Sequence, residues 1–408
     1  MKKKVLCFGE LLLRLSPSAD GAWIRDTSMN VYVGGAELNV AQALARWEIP
    51  VRYCTALPDN TVAEHIKRYL SSNCIETAVI NNGDRIGLYY MAPGADLKNA
   101  GVIYDRSLSA FATLKKEMID WEAIFEGIEW FHFSAIDPAI SYELAEICEE
   151  ALRFASKKNI TISLDLNYRA KLWKYGKTPG EIMPGLAKYC DLIMGNIWAG
   201  ETMLNIALDN ELIRKDQKDA YLLQAFNYSG EVTRQYPKCK FVANTFRFNG
   251  SREREINYYA ALCTGGKQYN TATYSSSAIV DKAGSGDCFM AGLIYSILHG
   301  HSAQATIDFA AAAARLRDRS SRTPRDRGCA SYRRNTRPSP QRGFAELQRC
   351  PRVSQSSCRS PFAPACRLTR TSRVPAHPTR SRRRSAPTSP GSASNRGARR
   401  AVPRPMSS

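Results

Sequence analysis

The sequence predicts an α/β chain, built as a doubly wound, mostly parallel sheet with helices on both faces. Three observations carry that expectation. Short apolar runs alternate with helical patterns, most clearly from Trp130 onward, as strand–helix units of a parallel sheet do. Polar residues recur just past the ends of those runs, where ligands bind in open α/β sheets. Two glycine-rich stretches each open a helix, and a helix N-terminus suits a bound anion.

Taken in order, Val5-Leu6-Cys7-Phe8-Gly9-Glu10 reads as a buried first strand ended by Gly. Residues 11–33 mix apolar and turn residues and suit short strands reaching away from the main sheet. Leu38–Trp47 is a helix of small residues, Val51–Ala56 the next strand and Thr61–Ser71 the next helix. A second excursion spans Arg85–Arg106 with two runs of strand character, Ile86–Met91 and Val102–Arg106. Trp130–Ser134 is a strand. Ser141–Ser156 is an amphipathic helix carrying Leu144, Ile147, Cys148, Ala151, Leu152 and Ala155 on one stripe. The strands Thr161–Leu166, Leu192–Gly195 and Phe241–Ala243 end in Asn167 and Arg169, in Asn196, and in Thr245 and Arg247. Ile256–Leu262 and Gln268–Tyr274 form a final pair around Gly265-Gly266.

The chemistry centres on Asp281-Lys282-Ala283-Gly284-Ser285-Gly286-Asp287, ahead of a helix marked by Phe289, Leu293 and Ile297 and stopped at Gly300. Bare N–H groups of such a turn, at the positive end of a helix dipole, favour a phosphate. Asp287 stands where a base could meet a hydroxyl beside that phosphate. It could equally be an ordinary acidic residue of a first helical turn. The other glycine-rich entry is Gly34-Gly35-Ala36-Glu37-Leu38-Asn39, continuing to Ala45. No Gly-x-Gly-x-x-Gly follows the first strand, which argues against a dinucleotide-binding oxidoreductase.

Together, in this order and about 250 residues apart, the two stretches resemble the paired signatures of the ribokinase-like (PfkB) sugar kinases. Within that family the chain most resembles 2-keto-3-deoxygluconate kinases, from its N-terminus to about Ala314. The resemblance implies a small β lid from residues 11–33 and 85–106. It implies ATP with Mg2+ as donor, a sugar acid as acceptor, and Asp287 as general base. It points to Gly34, Gly35, Ala36, Glu37, Leu38, Tyr104, Arg106, Arg169 and either Tyr89 or Tyr90 for the acceptor. Asn167, Asn196, Thr245 and Arg247 fall on the nucleotide side, and Ala283, Gly284, Ser285 and Gly286 form the anion hole. An Arg that binds a carboxylate bidentately suits a sugar acid better than a neutral sugar; surface charge is the plainer reading of Arg106 and Arg169. The chain departs from the family at Lys282, often Thr, and at Ala199, which occupies the Glu position of an Asn-x-x-Glu motif. The magnesium ligands are therefore unassigned. A fructokinase-type sugar kinase and an impaired kinase scaffold are the competing readings.

The net charge of +19 is unevenly placed. Residues 315–408 hold 24 Arg, no Lys and three acids, a net +21; the first 314 residues hold 33 basic and 35 acidic side chains, a net −2. That tail also holds 12 of the 20 prolines and no apolar period, so it is expected to be disordered. Its composition suggests GC-rich codons read out of frame. It is expected to meet polyanions non-specifically, with no specific nucleic-acid partner. The 12 cysteines form no Cys-x-x-Cys pair. With no signal-peptide pattern and no apolar run of membrane length, a cytoplasmic protein with reduced thiols is expected. A homo-oligomer is left open.

Overall fold

The architecture is that of a computed structural model, which describes residues 3–17, 23–24, 28–92, 102–249, 255–276 and 284–318. Ala283, the preceding Asp281 and Lys282, and the tail from 319 lie outside the described residues.

The chain begins with β1 (Lys4–Phe8) and leaves the main sheet for β2 (Leu12–Ser16) and β3 (Asn30–Gly34). It then enters α1 (Ala36–Arg46), returns as β4 (Val51–Leu57), and continues through α2 (Thr61–Ser72) to β5 (Ile75–Asn81). A second departure gives β6 (Gly87–Tyr90) and β7 (Ile103–Asp105). The short helix α3 (Trp121–Ile124) leads to β8 (Ile128–Ser134). After α4 (Asp137–Ile140) and α5 (Tyr142–Lys157) come β9 (Thr161–Asp165), α6 (Pro179–Ala187) and β10 (Leu192–Gly195). The helices α7 (Ile197–Leu204), α8 (Asn210–Arg214) and α9 (Lys218–Gln235) precede β11 (Phe241–Asn249), β12 (Ile256–Thr264), β13 (Lys267–Asn270) and β14 (Tyr274–Ser276). The last elements are α10 (Ser285–Leu298) and α11 (Ala303–Asp318).

The main sheet has ten strands in the order β13-β12-β11-β10-β9-β8-β1-β4-β5, with β14 also beside β12. From β11 to β5 every pairing is parallel. β1 sits between β4 and β8, so the chain winds outward in one direction and later in the other. The crevice beyond the carboxyl ends of the strands near β1 is where such a sheet binds ligands.

Alternation along β1 explains the layers. Val5 and Cys7 join one core with residues of α1, α2, α10 and α11; Leu6 and Phe8 join another with α5, α6, α7 and α9. A parallel sheet must be covered on both faces, and these helices cover it. α5 starts as its sequence requires, with the Ser141 hydroxyl accepting from the Leu144 N–H at 3.1 Å. The smaller sheet, ordered β3-β2-β6-β7, is the expected lid.

Two elements differ from the sequence expectation. β11 runs nine residues rather than three, because β12 pairs antiparallel with it from Phe241↔Thr264 to Asn249↔Ile256. Thr245 and Arg247 therefore lie on a strand rather than past its end. α11 runs on to Asp318, so the first residues of the segment from 315, expected to be disordered, are helical. Among the described residues no helix is long and apolar enough to cross a membrane.

Candidate active site

A cavity of about 440 Å³ opens at the carboxyl ends of the strands, between the main sheet and the lid. Of the residues singled out in sequence, its wall contains Gly35, Ala36, Tyr89, Tyr104, Arg106, Asn167, Arg169, Asn196, Thr245, Arg247, Gly284, Ser285, Gly286 and Asp287. The lid strands β6 and β7, the start of α1, the ends of β9 and β10, β11 and the start of α10 thus converge on one volume.

Asp287 lies in the first turn of α10 and is 8% exposed. Gly284 caps this helix with φ 83°, a left-handed conformation that glycine adopts without steric cost. The Asn39 Nδ2 donates to Asp287 Oδ2 at 2.6 Å, so α1 and α10 meet through the acid. Gly35, the cap of α1, has φ 145°, and a Cβ there would stand 2.6 Å from the Glu10 carbonyl oxygen. Glycine is therefore required for α1 to start this close to β1. The Arg247 guanidinium donates through Nη2 to the Ser285 hydroxyl at the same helix N-terminus.

On the lid side, Tyr89 faces the cavity. Tyr90, the next residue along β6, points the other way and meets the Trp23 ring at 6.2 Å. Gly34 ends β3, and a Cβ there would stand 3.1 Å from the Tyr89 hydroxyl, so the glycine makes room for that tyrosine. Leu38 is fully buried in the core, and Glu37 is 1% exposed below the wall. Neither lines the cavity, because the side chains at these positions of α1 turn back toward the sheet. Burial, followed by the neighbouring Asp287 charge among the raising influences, pushes the Glu37 carboxyl up to about 7.

The arginines are not equivalent. Arg106 is 5% exposed and pairs with buried Glu10, donating from Nε to Oε2 at 2.6 Å and also pairing through Nη2. Arg169 is half-buried; its Nη1 donates to the carbonyls of Asn167 (3.3 Å) and Tyr168 (3.1 Å), and it makes no ion pair among the described residues. Asn167 has φ 23°, and its N–H donates to Asp165 Oδ1 at 3.0 Å, which curls the strand end toward the cavity.

Asn196 caps α7 by accepting from the Ala199 N–H at 2.8 Å. Glu201 accepts from the Leu208 N–H at 3.3 Å and is not in the wall. No group of three or more His, Cys, Asp or Glu is arranged to hold a metal among the described residues. The wall does contain the carboxylates of Asp165 and Asp287. Magnesium held largely by a nucleotide's phosphates needs only one or two carboxylates, so the donor set fits it.

Asn39 and Asp165 were missed as site residues in the sequence. Asn39 lies one residue past the positions assigned to the acceptor, and Asp165 was read only as a strand end. His132 is buried, bonded through Nδ1 to the Ser163 hydroxyl at 3.0 Å, and burial lowers its pKa to about 3; it is a core residue rather than a base.

This geometry can be set beside known proteins. The 2-dehydro-3-deoxygluconokinase of Thermotoga maritima has a solved structure that superposes with a TM-score of 0.70 at 35% identity, covering 78% of this chain and 94% of that one. A 2-dehydro-3-deoxygalactonokinase of Haloferax volcanii is 26% identical over 318 residues, 78% of this chain and 91% of that protein. A 2-dehydro-3-deoxygluconokinase of Bacillus subtilis is 25% identical over 305 residues, covering 74% and 85%. The profile of the pfkB family carbohydrate kinases matches residues 2–225 and 259–323. The fold is shared with a solved kinase and the family profile matches most of the chain, so the chain belongs to the pfkB family of carbohydrate kinases.

Proposed function

We propose that the chain transfers the γ-phosphoryl group of ATP to the 6-hydroxyl of 2-keto-3-deoxygluconate. The observation that carries this reading is the meeting, in one cavity, of Asp287 at the α10 N-terminus with two arginines on the acceptor side. A sugar acid brings a carboxylate, and guanidinium groups bind carboxylates through charge-assisted bonds.

Each residue then has a role. Asp287 takes the proton of the attacking hydroxyl as its oxygen bonds to phosphorus and the bond to ADP breaks. The N–H groups at Gly284, Ser285 and Gly286, with Ala283 outside the described residues, receive the charge on the phosphoryl oxygens. Arg247, held at Ser285, adds a positive charge on that side. Asn167, Asn196 and Thr245 serve the nucleotide, and Tyr89, Tyr104 and the Gly34–Ala36 backbone shape the acceptor pocket. Mg2+ carried by ATP would neutralise phosphate charge, with Asp165 and Asp287 as the carboxylates within the wall.

ADP release should be measured with three acceptors: 2-keto-3-deoxygluconate, its galactonate epimer and fructose. The expected result is a kcat/KM for an acid at least about 100-fold above that for fructose, the scale of a lost charge-assisted pair. Preference for fructose would replace this reading with the fructokinase type. No turnover by a folded chain would favour an impaired scaffold.

A further inference from the structure

Glu10 belongs to no part of the reaction just described, yet it is 1% exposed as a side chain and sits against the cavity wall. Its Oε2 pairs with Arg106, and its Oε1 accepts from the Ser109 hydroxyl at 2.5 Å. The seat is built around it: a Cβ on Gly87 would overlap Glu10 Oε1 and would stand 3.2 Å from the Arg106 Cβ. The Tyr104 ring centroid lies 5.9 Å from the Arg106 guanidinium carbon. Arg106 is thus fixed in direction, and its charge is answered inside the protein. Arg169 has no such partner among the described residues; only carbonyl oxygens touch it.

We infer that Glu10 is a positioning residue that neutralises and aims Arg106, so that Arg106 supplies a directed hydrogen-bond donor while Arg169 alone supplies the net positive charge that selects an acid over a neutral sugar. This rests on the sugar-acid reading above. Its physical basis is that a buried pair has little outward field, whereas a half-buried unpaired guanidinium keeps its attraction for an anion. A second unneutralised charge at Arg106 would hold the acid more tightly but would also cost desolvation in the empty enzyme.

The test has two arms on the full chain. In the first, kcat/KM is measured for the keto-acid sugar and for fructose, and their ratio is compared across variants. Arg169→Met is expected to lower the ratio by about 30- to 100-fold, the scale of one lost charge-assisted bond pair. Arg106→Met alone should reduce both activities and lower the ratio, since it unmasks Glu10, whereas the double variant with Glu10→Gln should move the ratio by less than about threefold, because the pair contributes no net charge. Glu10→Gln should raise the ratio even as both activities fall, since it unmasks Arg106. A double-variant ratio that collapses as far as that of Arg169→Met, or a Glu10→Gln ratio that falls, would overturn the division of labour. In the second arm, melting temperatures of Glu10→Gln, Arg106→Met and the double variant are compared. The pair predicts that the double variant melts no lower than the worse single, because each single leaves one buried partner uncompensated. Losses that simply add would overturn the pairing. A parent that phosphorylates neither sugar refutes the reading of function, and the melting arm still decides whether Glu10 and Arg106 act as one unit.

Discussion

Replacing Asn39 by Asp places a second carboxylate against Asp287. The native contact is short, with Asn39 Nδ2 2.6 Å from Asp287 Oδ2, and Asp287 is 8% exposed. The amide is a donor that favours the ionised acid; an aspartate of the same shape removes the donor and adds like charge. Two unit charges about 4 Å apart at an effective dielectric of about 20 repel by about 4 kcal/mol, or about three pKa units as an upper scale. Two carboxylates at this distance share one proton, and the second ionisation moves up. The sign follows. The base must be ionised to accept the hydroxyl proton, so a raised pKa removes activity at low pH and returns it as pH rises. The acid limb of the kcat profile should therefore shift upward by about one to three pH units in Asn39→Asp, with the high-pH plateau partly recovered. Stopped assays between pH 5 and 9, with the acceptor saturating, measure it. An acid limb identical to the parent's would mean that Asp287 is not the titrating base or does not meet Asn39.

Two further outcomes follow from packing and burial. Glu37 is buried with its carboxyl raised to about 7, from an ordinary value of 4.5 in the unfolded chain. Its favourable protonated state is therefore fully present below pH 4.5 and is lost as pH rises through about 7. Relative to Glu37→Gln, the parent should lose up to about 1.4 kcal/mol of stability per pH unit across that window, read from denaturant melts at pH 5 and 8. A stability difference that stays constant with pH would show that Glu37 ionises freely. At Gly292, a Cβ would stand 2.7 Å from the Ala310 Cα, where α10 and α11 pack closely. Gly292→Ala should cost about 1–3 kcal/mol in thermal unfolding, and a neutral effect would place the two helices further apart than described.

Much of the fold was legible because each strand of a parallel sheet is buried on both faces. Val5–Phe8, Thr161–Leu166 and Leu192–Gly195 are short apolar runs that need no partner to be recognised. The glycine-rich helix starts were legible for a different reason: only glycine tolerates φ 145° at Gly35 and φ 83° at Gly284 without strain. What escaped depends on partners distant in sequence. β11 doubles in length only because β12 pairs with it. Asn39 gains its meaning from an acid 248 positions away. Glu10 read as the last residue of a strand, since nothing local shows that Arg106 and Ser109 will meet it. Arg106 lies in the cavity wall as its sequence position suggests, but its pairing with Glu10, 96 positions away, is not legible locally. Glu37 and Leu38 were included because a motif is contiguous, whereas a helix presents only some of its neighbours to a cavity.

The most direct test of the central claim is a comparison of phosphoryl transfer to 2-keto-3-deoxygluconate by the parent and by Asp287→Asn, at saturating ATP. The substitution keeps the side chain's shape and removes the base. A folded variant with a nearly unchanged acceptor KM and a kcat lower by about three or more orders of magnitude is the predicted result, as expected for loss of a general base together with its charge. A kcat within about tenfold of the parent's would contradict the account, because the cavity would then be carrying out the reaction without the acid around which it is built.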